Sequence, residues 1–170
     1  PSLETFDTSR VKLQDRHMSF DREQTQKKLA ALATKGIFVG TSSWKYQGWL
    51  NQLYTAVRYE YRGKLAATRF ERSCLAEYAE VFKTVCVDAA YYTFPSEKYL
   101  DGLVAQVPSD FQFGFKVTDE ITVRKFPNLS RFGFRAGKPN ENFLNAELFK
   151  RAFLRPCEHV RANIGVLMFE

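Results

Sequence analysis

A parallel α/β fold of the (β/α)-barrel type is predicted by three observations. Short continuous apolar runs recur at 37–40, 84–87, 111–117 and 164–169. Segments with helical spacing separate them. Each run ends in polar and aromatic residues rather than in a tight turn. Continuous rather than alternating runs are expected where both faces of a parallel sheet are buried. A strand–helix alternation implies right-handed crossovers, which carry the strand ends to one rim. Four units make half of an eight-stranded barrel. A chain that stops on an apolar strand leaves an unpaired edge, which proteins avoid. Residues 19–170 are therefore expected to be the N-terminal half of a single, truncated barrel domain. The rival is a complete four-stranded open sheet.

The elements follow in order. Residues 1–18 are polar and aperiodic and predict an arm. A helix is expected over 21–35: Asp21 can cap it, Gln24 stands three residues later, Leu29, Leu32 and Ala33 form a stripe, and Gly36 stops it. The first strand is 37–40, and 45–63 is read as a long aromatic and basic loop. A helix over 64–82 carries Cys74, Leu75, Tyr78 and Phe82 at helical spacing. Its Arg69, Glu71, Arg72, Glu77 and Glu80 are expected to form a solvated face.

The second strand, 84–87, runs into the polar, aromatic end 88–95. Ser96 is a good N-cap for a helix bearing Tyr99, Leu100, Leu103, Val104 and Val107. Residues 108–110 turn the chain into the third strand, 111–117, with Lys116 near its end. The longest irregular stretch, 118–145, holds Arg124, Lys125, Arg131, Arg135 and Lys138 among glycines and prolines; loops of this length are usually functional or mobile. Asn145 can cap a helix through Phe153, which Pro156 is expected to interrupt before the fourth strand, 164–169.

Composition narrows the function. The chain's 170 residues fit one domain, and 45% hydrophobic content is enough for a sizeable core. A net charge of +6 favours anionic partners, or simply keeps the chain soluble. Cys74, Cys86 and Cys157 are dispersed and form no CxxC, so neither a disulfide framework nor a zinc knuckle is expected. Unpaired cysteines fit a reducing compartment, hence the cytoplasm. His17 and His159 are the only histidines, too few for a histidine-rich metal site. No apolar run approaches the ~20 residues of a membrane span.

In a barrel, reactive groups stand at the C-terminal strand ends. That rule selects Ser42, Ser43, Trp44, Asp88, Tyr91, Lys116, Thr118, Asp119, Glu120 and Glu170. Asp88 and Glu170 can work as an acid/base pair or hold a cation. The alternative is a structural network with Lys116. Lys116 itself suits anion binding better than Schiff-base chemistry, given the basic charge balance. Trp44, Tyr46, Trp49, Tyr54, Tyr91 and Tyr92 can stack on bases or sugars, or pack two loops against the barrel. Ser42 and Ser43 have no nearby histidine, which argues against a Ser-His-Asp triad. The stretch 124–138 interleaves cations with Phe126, Phe132 and Phe134; it is a candidate phosphate contact, or a solvated loop anchored by its rings.

Several segments, taken in order, resemble the YecE-like family, domain of unknown function 72: GTSSWKYQGW at 40–49 followed by Tyr54, LAEYAEVFKTV at 75–85, YYTFPS at 91–96, VPSDFQFGFKV at 107–117 and IGVLMFE at 164–170. The resemblance implies a TIM-barrel-like fold in a chain longer than this one, with 119–150 as a longer-loop variant. By analogy with barrel endonucleases it also suggests nucleic-acid processing. Many members carry glutamate where this chain has Cys86, asparagine where it has Asp88, and histidine where it has Val123. The leading expectation is an enzyme acting on a phosphorylated or other anionic small substrate. Asp88, Lys116 and Glu170 would be its catalytic centre, and Ser43, Trp44, Trp49, Tyr54, Tyr91, Tyr92, Thr118 and Arg124 its binding residues. A nucleic-acid binder or nuclease and a non-catalytic scaffold are the alternatives. The cofactor and the oligomeric state are left open.

Overall fold

The structure, a computed structural model, describes residues 20–170. The arm expected over 1–18 lies outside them. Helix α1 is Arg22–Ala33, where the Asp21 carboxylate accepts the Gln24 N–H at 2.8 Å. It ends as its glycine predicts: Gly36 takes φ +74°, Ile37 N–H donates to the Leu32 carbonyl, and Gly36 N–H to that of Ala33.

The segment 37–40 departs from expectation. It makes no ladder, and Ile37, Phe38 and Val39 are exposed. Pairing begins only at Thr41, which bridges Val85 in parallel and accepts the Cys86 N–H at 2.9 Å. Gly40 makes the close approach possible: a Cβ there would lie 2.1 Å from the Thr84 carbonyl oxygen.

The stretch expected as a plain loop contains two 3₁₀ turns, Gln47–Trp49 and Ala56–Tyr59, and a small antiparallel hairpin of β1, Glu60–Tyr61, and β2, Lys64–Leu65. Its two-residue turn places Arg62 and Gly63 at φ +53° and +73°, as a type I′ turn requires. Helix α2, Ala67–Val81, therefore starts later than predicted.

Along α2, Phe70, Cys74, Leu75, Tyr78 and Val81 are buried, as their spacing requires. Glu77 corrects the reading of a solvated face, because it is only 2% exposed. Its carboxylate accepts from Thr55 N–H at 3.0 Å, Thr55 Oγ1 at 2.6 Å and Tyr59 O–H at 2.8 Å. Arg58 stands 3.4 Å away. A buried charge persists only where its lone pairs are filled in this way. Glu80, at the margin of the same face, ties α1 to α2 through Arg22.

Three strands follow: β3 Thr84–Val87, β4 Gln112–Lys116 and β5 Ile164–Met168. They form one parallel sheet in the order β3-β4-β5. Between β3 and β4 lie the single-turn α3, Ala89–Tyr92, and α4, Glu97–Val104, whose Ser96 hydroxyl accepts the Tyr99 N–H at 3.2 Å. After β4 come α5, Asp119–Thr122, the long excursion, and α6, Ala146–Phe149, capped by Asn145. Pro156 does not interrupt the helix after α6. The chain widens into a π-helical turn at Lys150–Leu154 and continues as α7, Arg155–Cys157, with the proline directly after the widened turn.

Alternate strand residues face opposite ways. Phe113 and Phe115 of β4 are buried with Phe111, Val117 and the helical residues Phe70, Tyr78, Leu100 and Phe153. The register sets Cys86 beside Gly114 and Gly114 beside Val166, and it sets Lys116 beside Met168. On this second face Cys86, Gln112 and Lys116 are half-buried and Val166 is exposed. The polar strand ends therefore open onto a face separate from the helical core. No helix among the described residues is long and apolar enough to cross a membrane.

Candidate functional site

Three consecutive sheet strands end in ionisable side chains, and parallel pairing brings those ends together. Lys116, last in β4, places Nζ 3.0 Å from Glu170 Oε1 and 3.4 Å from Asp88 Oδ1. The Cys86 thiol, two residues before Asp88 on the same face, donates to Asp88 Oδ1 at 3.3 Å. The three groups selected from sequence as a polar centre are thus one contiguous cluster, partly open to solvent.

The hydrogen bond to Glu170 holds the Lys116 ammonium above the ordinary lysine value, with Asp88 adding to it and partial desolvation opposing. Lys116 therefore keeps its proton at neutral pH. It can stabilise developing negative charge or hold a proton, but it is not a free amine for Schiff-base formation. Its contribution to stability is complete at neutral pH and is lost as pH rises through the raised value.

Burial first, and Asp88 second, push the Cys86 thiol up to about 11. An expected outcome follows. At pH 8, iodoacetamide should modify Cys86 on the order of a hundredfold more slowly than an ordinary thiol of pKa ~8.5, from the thiolate fraction alone. Asp88→Asn removes a negative neighbour and should speed the reaction several-fold. Peptide mapping by mass spectrometry separates Cys86 from the buried Cys74 and Cys157.

The remaining sequence-selected residues divide. Tyr91 and Tyr92, in α3, form an edge-to-face pair at 5.2 Å, with Tyr92 well exposed. The Tyr91 hydroxyl is raised, chiefly by burial and then by Asp119; Arg131 opposes this and Glu170 adds to it, so Tyr91 lies within the field of both loop and rim. Thr118 is buried and donates to the Ala90 carbonyl at 2.7 Å, fastening the end of β4 to α3. Ser43 is half-buried, its carbonyl accepting from the Thr41 hydroxyl.

Trp44 and Tyr54 are core residues, and the Tyr54 hydroxyl donates to the Trp44 carbonyl. Trp49 stacks on Tyr54 at 6.3 Å and meets Tyr46 at 4.6 Å. These rings pack the 44–59 segment on α2, Tyr54 and Tyr59 both meeting Phe70 edge-to-face. Arg124 is exposed on the stem of the long excursion, where its carbonyl accepts the Asn140 N–H.

A polar cleft of about 390 Å³ adjoins the rim between Tyr92, Phe94, Thr118, Asp119, Arg135 and Asn142. Arg135 and Asn142 fill both oxygens of Glu120, at 2.7 and 2.6 Å. Asp119 is buried 3.7 Å from the same Arg135, and desolvation raises its carboxyl above the usual range. Strand-end position alone selects Asp119 and Glu120 without a role, and in the sequence Arg135 looks like its neighbouring cations. The only local signal was a pair of asparagines, Asn140 and Asn142, at the end of the excursion. Among the described residues, no group of three or more His, Cys, Asp or Glu is placed to hold a metal ion.

Comparison with known proteins gives one result. The family model described as protein of unknown function DUF72 matches residues 38–170. No curated protein and no solved structure matches the chain. The match covers most of the sequence and all three strands of the parallel sheet: the chain belongs to the DUF72, or YecE-like, family.

Proposed function

We propose that the described sheet is part of a (β/α) barrel, and that the protein is a cytoplasmic enzyme acting on a small anionic, phosphorylated substrate at the C-terminal rim of the strands. One observation carries the reading: Asp88, Lys116 and Glu170 come from three different strand ends and meet within 3.0–3.4 Å. Ligand and active sites of parallel α/β folds occupy that end of the sheet. Lys116 supplies a fixed positive charge, Glu170 is the more exposed carboxylate and serves as proton acceptor, and Asp88 orients the ammonium. Tyr91 and Tyr92 form the wall on the α3 side. Arg131, whose charge is felt at both Tyr91 and Asp119, meets the substrate's anionic group. This last assignment matters, because two carboxylates around one lysine leave the cluster itself with no net attraction for anions.

Titration with inorganic phosphate, glycerol 3-phosphate and adenosine monophosphate, followed by NMR shifts, tests the reading. At least one should bind with the largest shifts around Tyr91 and Lys116. Lys116→Met should weaken it tenfold or more, while Lys116→Arg retains part of the affinity. Equal binding by Lys116→Met would count against the proposal. A non-catalytic scaffold has one observation in its favour, the use of Trp44 and Tyr54 as core rather than cleft residues. It predicts no phosphate binding at the rim at all.

A further inference from the structure

The excursion between β4 and α6 carries a surface of which the rim chemistry uses only Arg131. Between Glu120 and Glu141 the sequence has five cations, Arg124, Lys125, Arg131, Arg135 and Lys138, and no carboxylate. Arg135 is committed to Asp119 and Glu120. The other four are exposed, and among the described residues none of them forms an ion pair.

The excursion is built, not loose. Phe126 N–H donates to the Lys138 carbonyl, Gly137 N–H to that of Phe126, and Asn140 N–H to that of Arg124, each at 3.0 Å. Phe126 and Phe132 turn inward and pack at 5.5 Å, with the Arg135 guanidinium 4.5 Å over the Phe126 ring. Phe134 does the opposite. It is 84% exposed, and the Lys138 ammonium lies 5.9 Å from its ring centre. Folding therefore leaves one large ring in water, beside cations that have no carboxylate partner among the described residues.

We propose that this excursion is a docking surface for single-stranded nucleic acid, with Phe134 stacking on a base and Arg124, Lys125, Arg131 and Lys138 contacting the phosphates. An exposed aromatic next to unpaired cations is the pairing that single-strand binders use: every base offers a face, and every linkage a charge. The cations are spread along stem and tip rather than converging on one cavity, which suits a chain of phosphates better than a single small anion. A membrane surface is less well matched. Within the basic stretch 124–138 only Phe134 and the half-exposed Leu129 project as large apolar residues, Phe143 and Leu144 being exposed beyond it, and no amphipathic helix accompanies them among the described residues.

Fluorescence anisotropy with a labelled twelve-nucleotide oligo(dT) tests the surface on the whole chain. Four phosphate contacts predict a slope of log K against log salt of about −2.8, roughly a 50-fold loss between 50 and 200 mM salt. Phe134→Ala should weaken binding ~5- to 150-fold, by loss of one stacked base, without altering the salt slope. Lys125→Ala with Lys138→Ala should reduce the slope by about 1.4. Lys116→Met should leave strand binding unchanged, which keeps a failure of the rim proposal distinct from a failure of this one. No detectable binding at 50 mM salt, or Phe134→Ala binding as tightly as the parent, would overturn the proposal. Binding instead to vesicles containing phosphatidylserine, with loss in Phe134→Ala, would overturn it in favour of a lipid surface.

Discussion

Replacing Glu77 by alanine is expected to destabilise the protein by about 3–5 kcal/mol, the range seen when one partner of a buried charged network is removed. The reason lies in what Glu77 holds. The Thr55 amide and hydroxyl and the Tyr59 hydroxyl all donate to its carboxylate, and the side chain is 2% exposed on the buried face of α2. Alanine leaves those three donors without an acceptor and opens a cavity beside Tyr59 and Phe70, whose rings meet edge-to-face at 5.0 Å. Each unsatisfied buried donor costs roughly 1–3 kcal/mol. Glu77→Gln keeps the size and one acceptor oxygen, so about half that loss is expected. Urea denaturation of parent and both variants measures the effect. A loss below about 1 kcal/mol for alanine would mean that the 50–60 segment is not anchored on α2 as described.

Phe115→Ala is expected to cost a similar amount, about 3–5 kcal/mol, by removing a ring from the centre of the sheet. Phe115 is fully buried in the middle strand, paired with Val87, with rings of Phe113 and Phe153 at 6.1 and 6.4 Å. Its consequence reaches the site, because the next residue is Lys116. Loosening β4 should expose Cys86, so iodoacetamide labelling should accelerate in Phe115→Ala while Phe115→Leu stays near the parent. Denaturation and labelling of the same samples check both halves of the statement. An alanine variant as stable as the parent would contradict the placement of Phe115 at the core.

Much of this was legible in the sequence. The limits of β3 and the caps at Asp21, Ser96 and Asn145 follow from local chemistry, since a side-chain oxygen placed before an apolar period has few other uses. The parallel pairing of β3, β4 and β5, and with it the gathering of Asp88, Lys116 and Glu170, followed from the repeated plan of apolar run and polar end.

What was not legible depends on distant partners. Glu77 looks like any charge on a helix until Thr55 and Tyr59 arrive from 22 and 18 residues away. The run 37–40 has the composition of a buried strand, yet β3 receives it only at Thr41. Trp44, Trp49 and Tyr54 carry no mark in the sequence that distinguishes a ring lining a cleft from one packing a loop. The arrangement of Asp119, Glu120 and Arg135 needed the path of the excursion, which no periodicity describes.

Parallel strand ends gather Asp88, Lys116 and Glu170 into one charge cluster. NMR titration of the Lys116 side-chain carbon next to the ammonium tests it most directly, in the parent and in Asp88→Asn, Glu170→Gln and the double variant. Lys116 should titrate above the ordinary lysine value of ~10.4 in the parent, fall in each single variant, further for Glu170→Gln, and fall furthest in the double variant. A Lys116 that titrates as an ordinary lysine in all four proteins would contradict the cluster.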